Sequence, residues 1–544
     1  MYRQIYRRRS GLKKQNFIKG SIILMISAAV AKLLGAVFKI PLTNILGGVG
    51  MSYFSCAYSL FMPVYSLTVT GLSSAVARMT AQSAALGMYA NAAKVRRTAL
   101  GIFSLAGLAG SLLIILLARP FSIYSIDSLE ASAAVAMIAP AVFFGCITAV
   151  ERGYYEGMSN MYPTAVSQVV EGIVKAAAGL LLCSYVMKNP QAVLTYFPYI
   201  KDVRAAAAAA GILGVTLATA GAAVFFALIG LFAKAPRGGE SCVMSRKAIV
   251  RELTATAMPV GVSALVTNLT ALIDMWTVIG CISYFAGSIT TPDGVSDREL
   301  PYFVYGSFAG IALTVFNLVP SVTNMLGKGA LTCITAAYEN KDRRSLEFGT
   351  SQALLTSAVI AVPAAVGIAV LAPEILRFLY PQQTDEAAFC ISSLRWLMAG
   401  MVCLCVSYPL FSMLQAVGKP SAPLKIMLLG TAVKLAGNLA FIPFMGVNGA
   451  ALSTSLCYAV ILIVSLKAYI KAADLHISAA PFGKTAYSGA MCGGTAYLAA
   501  SVLKRTGAAE IVTITASAAA GGIVYLVLIV VLIGKFSIKQ SKKA

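Results

Sequence analysis

Apolar residues run through this chain in stretches of roughly 20 to 30, each closed by a cluster of charged, Gly or Pro residues. A bilayer-spanning helix needs about 20 mostly apolar residues. The runs therefore predict helices near 17–41, 50–80, 96–118, 130–151, 162–187, 204–233 and 253–284. A second set follows near 302–328, 345–372, 386–416, 421–444, 448–470, 483–503 and 508–534. The expected fold class is an all-α polytopic membrane protein of about 14 transmembrane helices. No gap between runs approaches the roughly 50 residues of a small soluble domain, so any activity sits within the helices.

Composition agrees. Of 544 residues 58% are hydrophobic and 12% charged, with mean hydropathy +0.81, which excludes a soluble enzyme. The net charge of +23 would suggest a nucleic-acid partner in a soluble protein. Here the positions of the charges give it another meaning. With the N-terminus inside, 30 of the 43 Lys and Arg fall in cytoplasmic segments, eight outside and five at membrane depth. Short cytoplasmic loops carry such an excess, so the expectation is a multi-pass plasma-membrane protein with both termini cytoplasmic and no nucleic-acid partner. Arg3, Arg7, Arg8, Arg9, Lys13 and Lys14 precede the first run as in a secretory signal. A signal's apolar region spans only about 7 to 15 residues, whereas 17–41 stays largely apolar throughout. It reads as a first transmembrane helix with a basic lead.

The 11 Cys lie mostly inside spans with no CxxC, and the single histidine, His476, sits in a loop beside Asp474. Neither a metal centre nor a His-based nucleophile has the convergent residues it needs. A non-enzymatic function without a cofactor is expected.

Ionisable groups at membrane depth are costly unless they face a cavity or a partner. Lys32, Lys39, Glu171, Lys175, Asp274, Arg395 and Lys434 are such groups. Lys32 and Lys39, seven apart, share a face with Gly35 and Ala36. Thr164, Gln168, Glu171 and Lys175 form one stripe at helical spacing, as do Ser263, Thr267, Thr270 and Asp274. Asn317, Ser321, Asn324 and Lys328 make a third, and Lys434 with Asn438 another. Each stripe taken alone could serve interhelical hydrogen bonds, with Glu171 and Lys175 neutralising each other. Together they point to a shared hydrated cavity. Counting about 1.5 Å per residue, Lys32, Lys175 and Lys434 fall near the bilayer middle, where transporters bind substrates. Five cations against two carboxylates select an anion such as a phosphate or pyrophosphate. Arg78 and Arg152, nearer the cytoplasmic ends, read as topological anchors.

A weak internal repeat supports two halves. ERGYYEGMSNMYPTAVSQVVEGIVK and LQAVGKPSAPLKIMLLGTAVK each place a Gly and a turn before Pro163 or Pro423, followed by Lys175 or Lys434. Pro suits the first turn of a helix, where its missing N–H is no loss.

With KGSIILMISAAVAKLLGAVFKIPLTNILGGVGMSYFSCAYSLF, LVTNLTALIDMWTV, NLVPSVTNMLGKGALTCITAAYENKD and VKLAGNLAFIPFMGVNGAALSTSL, in that order along the chain, the sequence resembles the polysaccharide-export flippases of the multidrug/oligosaccharidyl-lipid/polysaccharide superfamily. The resemblance implies two pseudo-symmetric six-helix lobes around a central cavity, plus two C-terminal helices. It implies alternating access that moves a lipid-linked saccharide precursor outward for cell-wall, spore-cortex or polysaccharide synthesis. Related members handle lipid II, and distant ones export cationic drugs with Na+ or H+.

The expected plan is a basic N-terminus 1–16, an N-lobe 17–233, a cytoplasmic linker 234–252, a C-lobe 253–470, two helices over 483–534 and a basic tail 535–544. Lys32, Lys175 and Lys434, with Lys39 and Arg395, are the expected ligands of an undecaprenyl-pyrophosphate head group. Glu171 and Asp274 are the gating or ion-coupling candidates, and Gln168, Thr267, Thr270, Asn317, Ser321, Asn324 and Asn438 the polar lining. The driving force would be Na+ or H+ coupling or the membrane potential, worth about 2.3 kcal/mol per charge per 100 mV. The expected state is a monomer, with cell-wall synthesis proteins as its protein partners. A cation-coupled drug exporter and a non-transporting scaffold of a cell-wall complex are the alternatives.

Overall fold

The computed structural model describes residues 14–191, 201–232, 244–285, 295–419, 421–475 and 477–532, and every regular element among them is helical. A helix lets one segment satisfy its own backbone where no water can. Among the described residues, eleven helices are long and apolar enough to cross a membrane, and Leu300–Phe316 with Leu318–Asn324, bent by 44°, makes a twelfth if the pair is one span. Two of the expected fourteen spans account for the difference. The runs 17–41 and 50–80 lie in one helical stretch, and 483–503 falls in a helix whose apolar content is diluted by Gly, Ser and Thr.

The chain divides into two compact units, Met1–Leu42 with Tyr53–Leu269, and Thr43–Ser52 with Thr270–Ala544. In the first unit, α1 (Lys14–Tyr65) runs into a π-helical turn (Ser66–Thr70) and α2 (Gly71–Ala85). Next come α3 (Tyr89–Ile126), α4 (Ala131–Ile138), α5 (Pro140–Gly157), α6 (Tyr162–Lys188), α7 (Val203–Phe232) and the beginning of α8 (Arg246–Phe285). Leu72 and Val76 of α2, Val95 and Phe103 of α3, Val150 of α5, Phe226 of α7 and Leu253 of α8 make a common core. Pro163 occupies the first turn of α6, as the sequence predicts. Helices α6 and α7 approach backbone to backbone where Gly179 meets Gly214, a contact that any side chain at Gly214 would block.

The second unit takes residues 43–52 of α1, the rest of α8, α9 (Leu300–Ser307), a second π-helical turn (Phe308–Ala312), α10 (Leu313–Phe316) and α11 (Leu318–Glu339). It continues with α12 (Arg343–Val370), α13 (Ala372–Leu379), α14 (Thr384–Ala416), α15 (Ala422–Met445), α16 (Val447–Ala473), α17 (Ala480–Arg505) and α18 (Glu510–Leu532). Leu354, Leu410, Met413, Ile461 and Tyr469 lie in its core, and the buried Tyr469 hydroxyl is 2.7 Å from Thr350 Oγ1. Pro423 sits in the first turn of α15.

The helical stretch from Ile26 to Ala84 has 59 residues, about 90 Å at the α-helical rise and roughly three times a bilayer core. It cannot be one straight span. It breaks at Gly47, with φ 65° and ψ −176°, inside the gap expected between the first two runs. Asn44 Nδ2 donates to Leu379 O at 2.8 Å, and Gln383 Nε2 donates to Asn44 O at 2.9 Å, fixing the break from α13 and the start of α14.

Candidate functional site

In the first unit, α6 carries the expected stripe. Lys175 Nζ lies 5.0 Å from the Phe38 ring centroid and 5.5 Å from that of Tyr58. Both distances are within cation–π range. Space for Phe38 exists because Gly179, one turn beyond Lys175, has no side chain: a Cβ there would come within 2.5 Å of the ring. The rings seat the Lys175 ammonium without offering it a counter-charge.

The neighbouring carboxylate does not cancel that charge. Glu171 Oε2 is 2.7 Å from Arg152 Nη2, and Arg152 Nε donates to Ser167 Oγ at 2.9 Å. The local Glu171–Lys175 pair is therefore replaced by a bridge from α5 to α6, and Arg152, 16% exposed at its side chain, is embedded rather than a solvated anchor. The physical reason is that packing against α5 brings a guanidinium that can fork onto both a carboxylate and a hydroxyl. Glu151 turns to α3, where Arg96 Nη2 is 2.8 Å from its Oε2 and the Arg96 guanidinium carbon lies 4.9 Å from the Tyr154 ring centroid. Adjacent residues of α5 thus clamp two different helices. Gln168 Oε1 accepts from Ser27 Oγ at 3.2 Å.

In the second unit, Lys434 of α15 places Nζ 2.6 Å from Asp274 Oδ2 of α8, with both side chains about 5% exposed or less. Asn438, one turn on, donates through Nδ2 to Asp274 Oδ1 at 3.2 Å and to Thr277 Oγ1 at 2.7 Å. Ser453 Oγ donates to the Lys434 carbonyl at 2.9 Å. This is a desolvated, internally neutral ion pair with its hydrogen bonds supplied by α8, α15 and α16.

The remaining candidates are more dispersed. Lys32 is exposed and Lys39 half-buried on α1, and Thr270 is half-buried on α8. Arg395 is exposed, with Nε donating to Ala369 O at 3.2 Å. Asn317 and Ser321 hydrogen-bond within their own turns, to Leu313 O and Asn317 O, and Asn324 is exposed. The side chains of Ser263, Thr267 and Lys328, and all of His476, lie outside the described residues. The structure therefore gathers Lys39, Lys175, Glu171 and Arg152 in one unit and Asp274, Lys434 and Asn438 in the other. Thr277 was findable as the next step of the Asp274 stripe. Phe38 and Tyr58 carried no polar signal.

Residues 17–290 match the model of a family described as polysaccharide biosynthesis protein, and residues 307–440 match the MatE family. Stage V sporulation protein B of Bacillus subtilis (strain 168) is 23% identical over 533 residues, 96% of either chain. Lipid II flippase MurJ of the same organism is 22% identical over 470 residues, covering 81% of this chain and 80% of that one. Among solved structures, lipid II flippase MurJ in an inward closed conformation matches with TM-score 0.68 at 15% identity, over 95% of this chain and 99% of that one. An inward-facing multidrug resistance MATE family transporter of the MOP superfamily matches with TM-score 0.61 at 14% identity, over 83% and 97%. The fold is the one these transporters share, and the protein is a multi-pass membrane protein.

Proposed function

Because the chain belongs to the polysaccharide biosynthesis protein family, we propose that it is a flippase for an undecaprenyl-pyrophosphate-linked saccharide, of the lipid II or polysaccharide-precursor kind. It carries this lipid from the inner to the outer leaflet by alternating access, with both termini cytoplasmic. The observation that carries the reading is the Lys175 ammonium at membrane depth, seated on Phe38 and Tyr58 with no carboxylate partner among the described residues while Arg152 holds Glu171. An ammonium without a counter-charge at membrane depth is costly, and an anion relieves that cost. A cationic drug would meet repulsion there.

The second unit supplies a charge that is held back. Lys434 reaches an anion only by leaving Asp274, which would strand a buried carboxylate. Asp274 then takes up a proton or a monovalent cation, which gives it the coupling role, while Glu171, bridged to Arg152, is a gating element rather than the counterpart of Lys175. A membrane potential negative inside favours outward movement of the anion.

The test replaces Lys32, Lys175 and Lys434 singly with Ala in a strain depleted of its own flippase and follows lipid-linked precursor in the outer leaflet. Loss of exposed precursor in Lys175→Ala is expected. Normal exposure in all three variants overturns the anion mechanism.

A further inference from the structure

The hydroxyl of Tyr58 has no use in the contacts described so far. Its Oη is buried and, among the described residues, has no hydrogen-bond partner. Other tyrosines of this chain behave as buried phenols ordinarily do. Tyr53 donates to Asp202 Oδ2, Tyr380 to Gly310 O and Tyr525 to Val359 O. Tyr58 is also the ring that, with Phe38, seats Lys175. An unsatisfied donor thus belongs to the same residue that positions an ammonium.

We propose that Tyr58 is a ligand-binding residue of this seat, donating Oη–H to a phosphoryl oxygen and making the seat selective for a pyrophosphate over a monophosphate head group. The proposal rests on the reading of an anionic lipid-linked substrate and adds which part of the head group is recognised. The Lys175 ammonium and the Tyr58 hydroxyl are separate donors, each able to hold its own phosphoryl group. A pyrophosphate offers two such groups in line. The aromatic seat suits this task because ring quadrupoles hold an ammonium in place without cancelling its charge, as a carboxylate would.

The test uses the full chain in lipid nanodiscs with three probes: undecaprenyl pyrophosphate, undecaprenyl phosphate and inorganic pyrophosphate. Tyr58→Phe keeps the ring, and with it the seat of Lys175, and removes only the hydroxyl. The wild type is expected to bind the pyrophosphate lipid more tightly than the monophosphate lipid. Tyr58→Phe is expected to lose about tenfold for the pyrophosphate lipid, the scale of a hydrogen bond to a charged group, with less than about a twofold change for the monophosphate lipid and an unchanged Tm. Lys175→Met is expected to weaken both. Inorganic pyrophosphate bound as tightly as the lipid would make the free anion the ligand and overturn a lipid head-group site. Unchanged pyrophosphate-lipid binding in Tyr58→Phe overturns the role of Tyr58 and leaves the flippase reading standing, as does an equal loss for both lipids accompanied by a lowered Tm. A wild type that binds neither lipid removes the substrate reading itself.

Discussion

Glu171 is bound to Arg152, 19 residues earlier on the preceding helix, at 2.7 Å, and not to Lys175 one turn along its own helix. That choice leaves Lys175 without a carboxylate partner among the described residues. Replacing Arg152 with Gln should release Glu171 to take Lys175 and lower affinity for a lipid pyrophosphate by about tenfold, although Lys175 is untouched. The double variant Arg152→Gln/Glu171→Gln should recover most of that affinity. Binding isotherms in nanodiscs check both, and a single variant that binds normally would show that Glu171 has no hold on the lysine.

Asp274 and Lys434 are each almost fully buried. Removing either alone leaves an uncompensated charge, at a cost of about 3 to 5 kcal/mol. Asp274→Leu with Lys434→Met should regain most of this, because two apolar side chains replace a neutral pair. Thermal unfolding in detergent gives the stabilities, and equal losses in the single and double variants would contradict an isolated pair.

A methyl group at Gly179 would meet the Phe38 ring. Gly179→Ala should therefore push Phe38 away from Lys175 and reduce anion binding while most of the protein stays folded. Phe38→Leu, which removes the ring without crowding, should reproduce the loss. Binding retained in both would mean that the aromatic seat is dispensable.

At Gly47 the backbone has φ 65°, and a Cβ would stand 3.3 Å from Gln383 Oε1. Gly47→Ala should destabilise the protein by about 1 to 2 kcal/mol, seen as a lower midpoint in thermal unfolding. Gln383→Ala should relieve only the crowding part.

Outside the membrane, Asp342 caps α12, its carboxylate accepting from Ser345 N at 3.1 Å and from Ser345 Oγ at 2.6 Å. These bonds hold its pKa below the ordinary 3.8. With the folded pKa depressed, the capping contribution is present above that ordinary value and is lost as pH falls through the folded one. Hydrogen exchange in the first turn of α12 should accelerate in strong acid in the wild type, and Asp342→Ala should show the faster exchange already at neutral pH.

Much of this was legible in the chain because membrane helices must be apolar over a fixed length. The runs marked nearly every helix, Pro163 and Pro423 marked two helix starts, and the gap before residue 50 contained the break at Gly47. Stripe spacing identified Lys175, Asp274 and Lys434 as residues on inward faces of their helices. Partner choice was not legible, since it depends on which helices pack together. Arg152 looked like a boundary residue because nothing in its own helix shows that α6 presents a carboxylate to it. Phe38 and Tyr58 were indistinguishable from ordinary apolar filling until Lys175 was found over their rings.

The distance along the chain between Asp274 and Lys434, 160 residues, also sets a problem of timing. At about 5 to 20 residues per second of synthesis, the carboxylate emerges roughly 8 to 32 s before its ammonium. Through that interval α8 carries an acid that lipid will not accept. The span must wait protonated, or in the shelter of the insertion machinery, until α15 arrives, so the last half of the molecule completes the membrane integration of a helix made well before it.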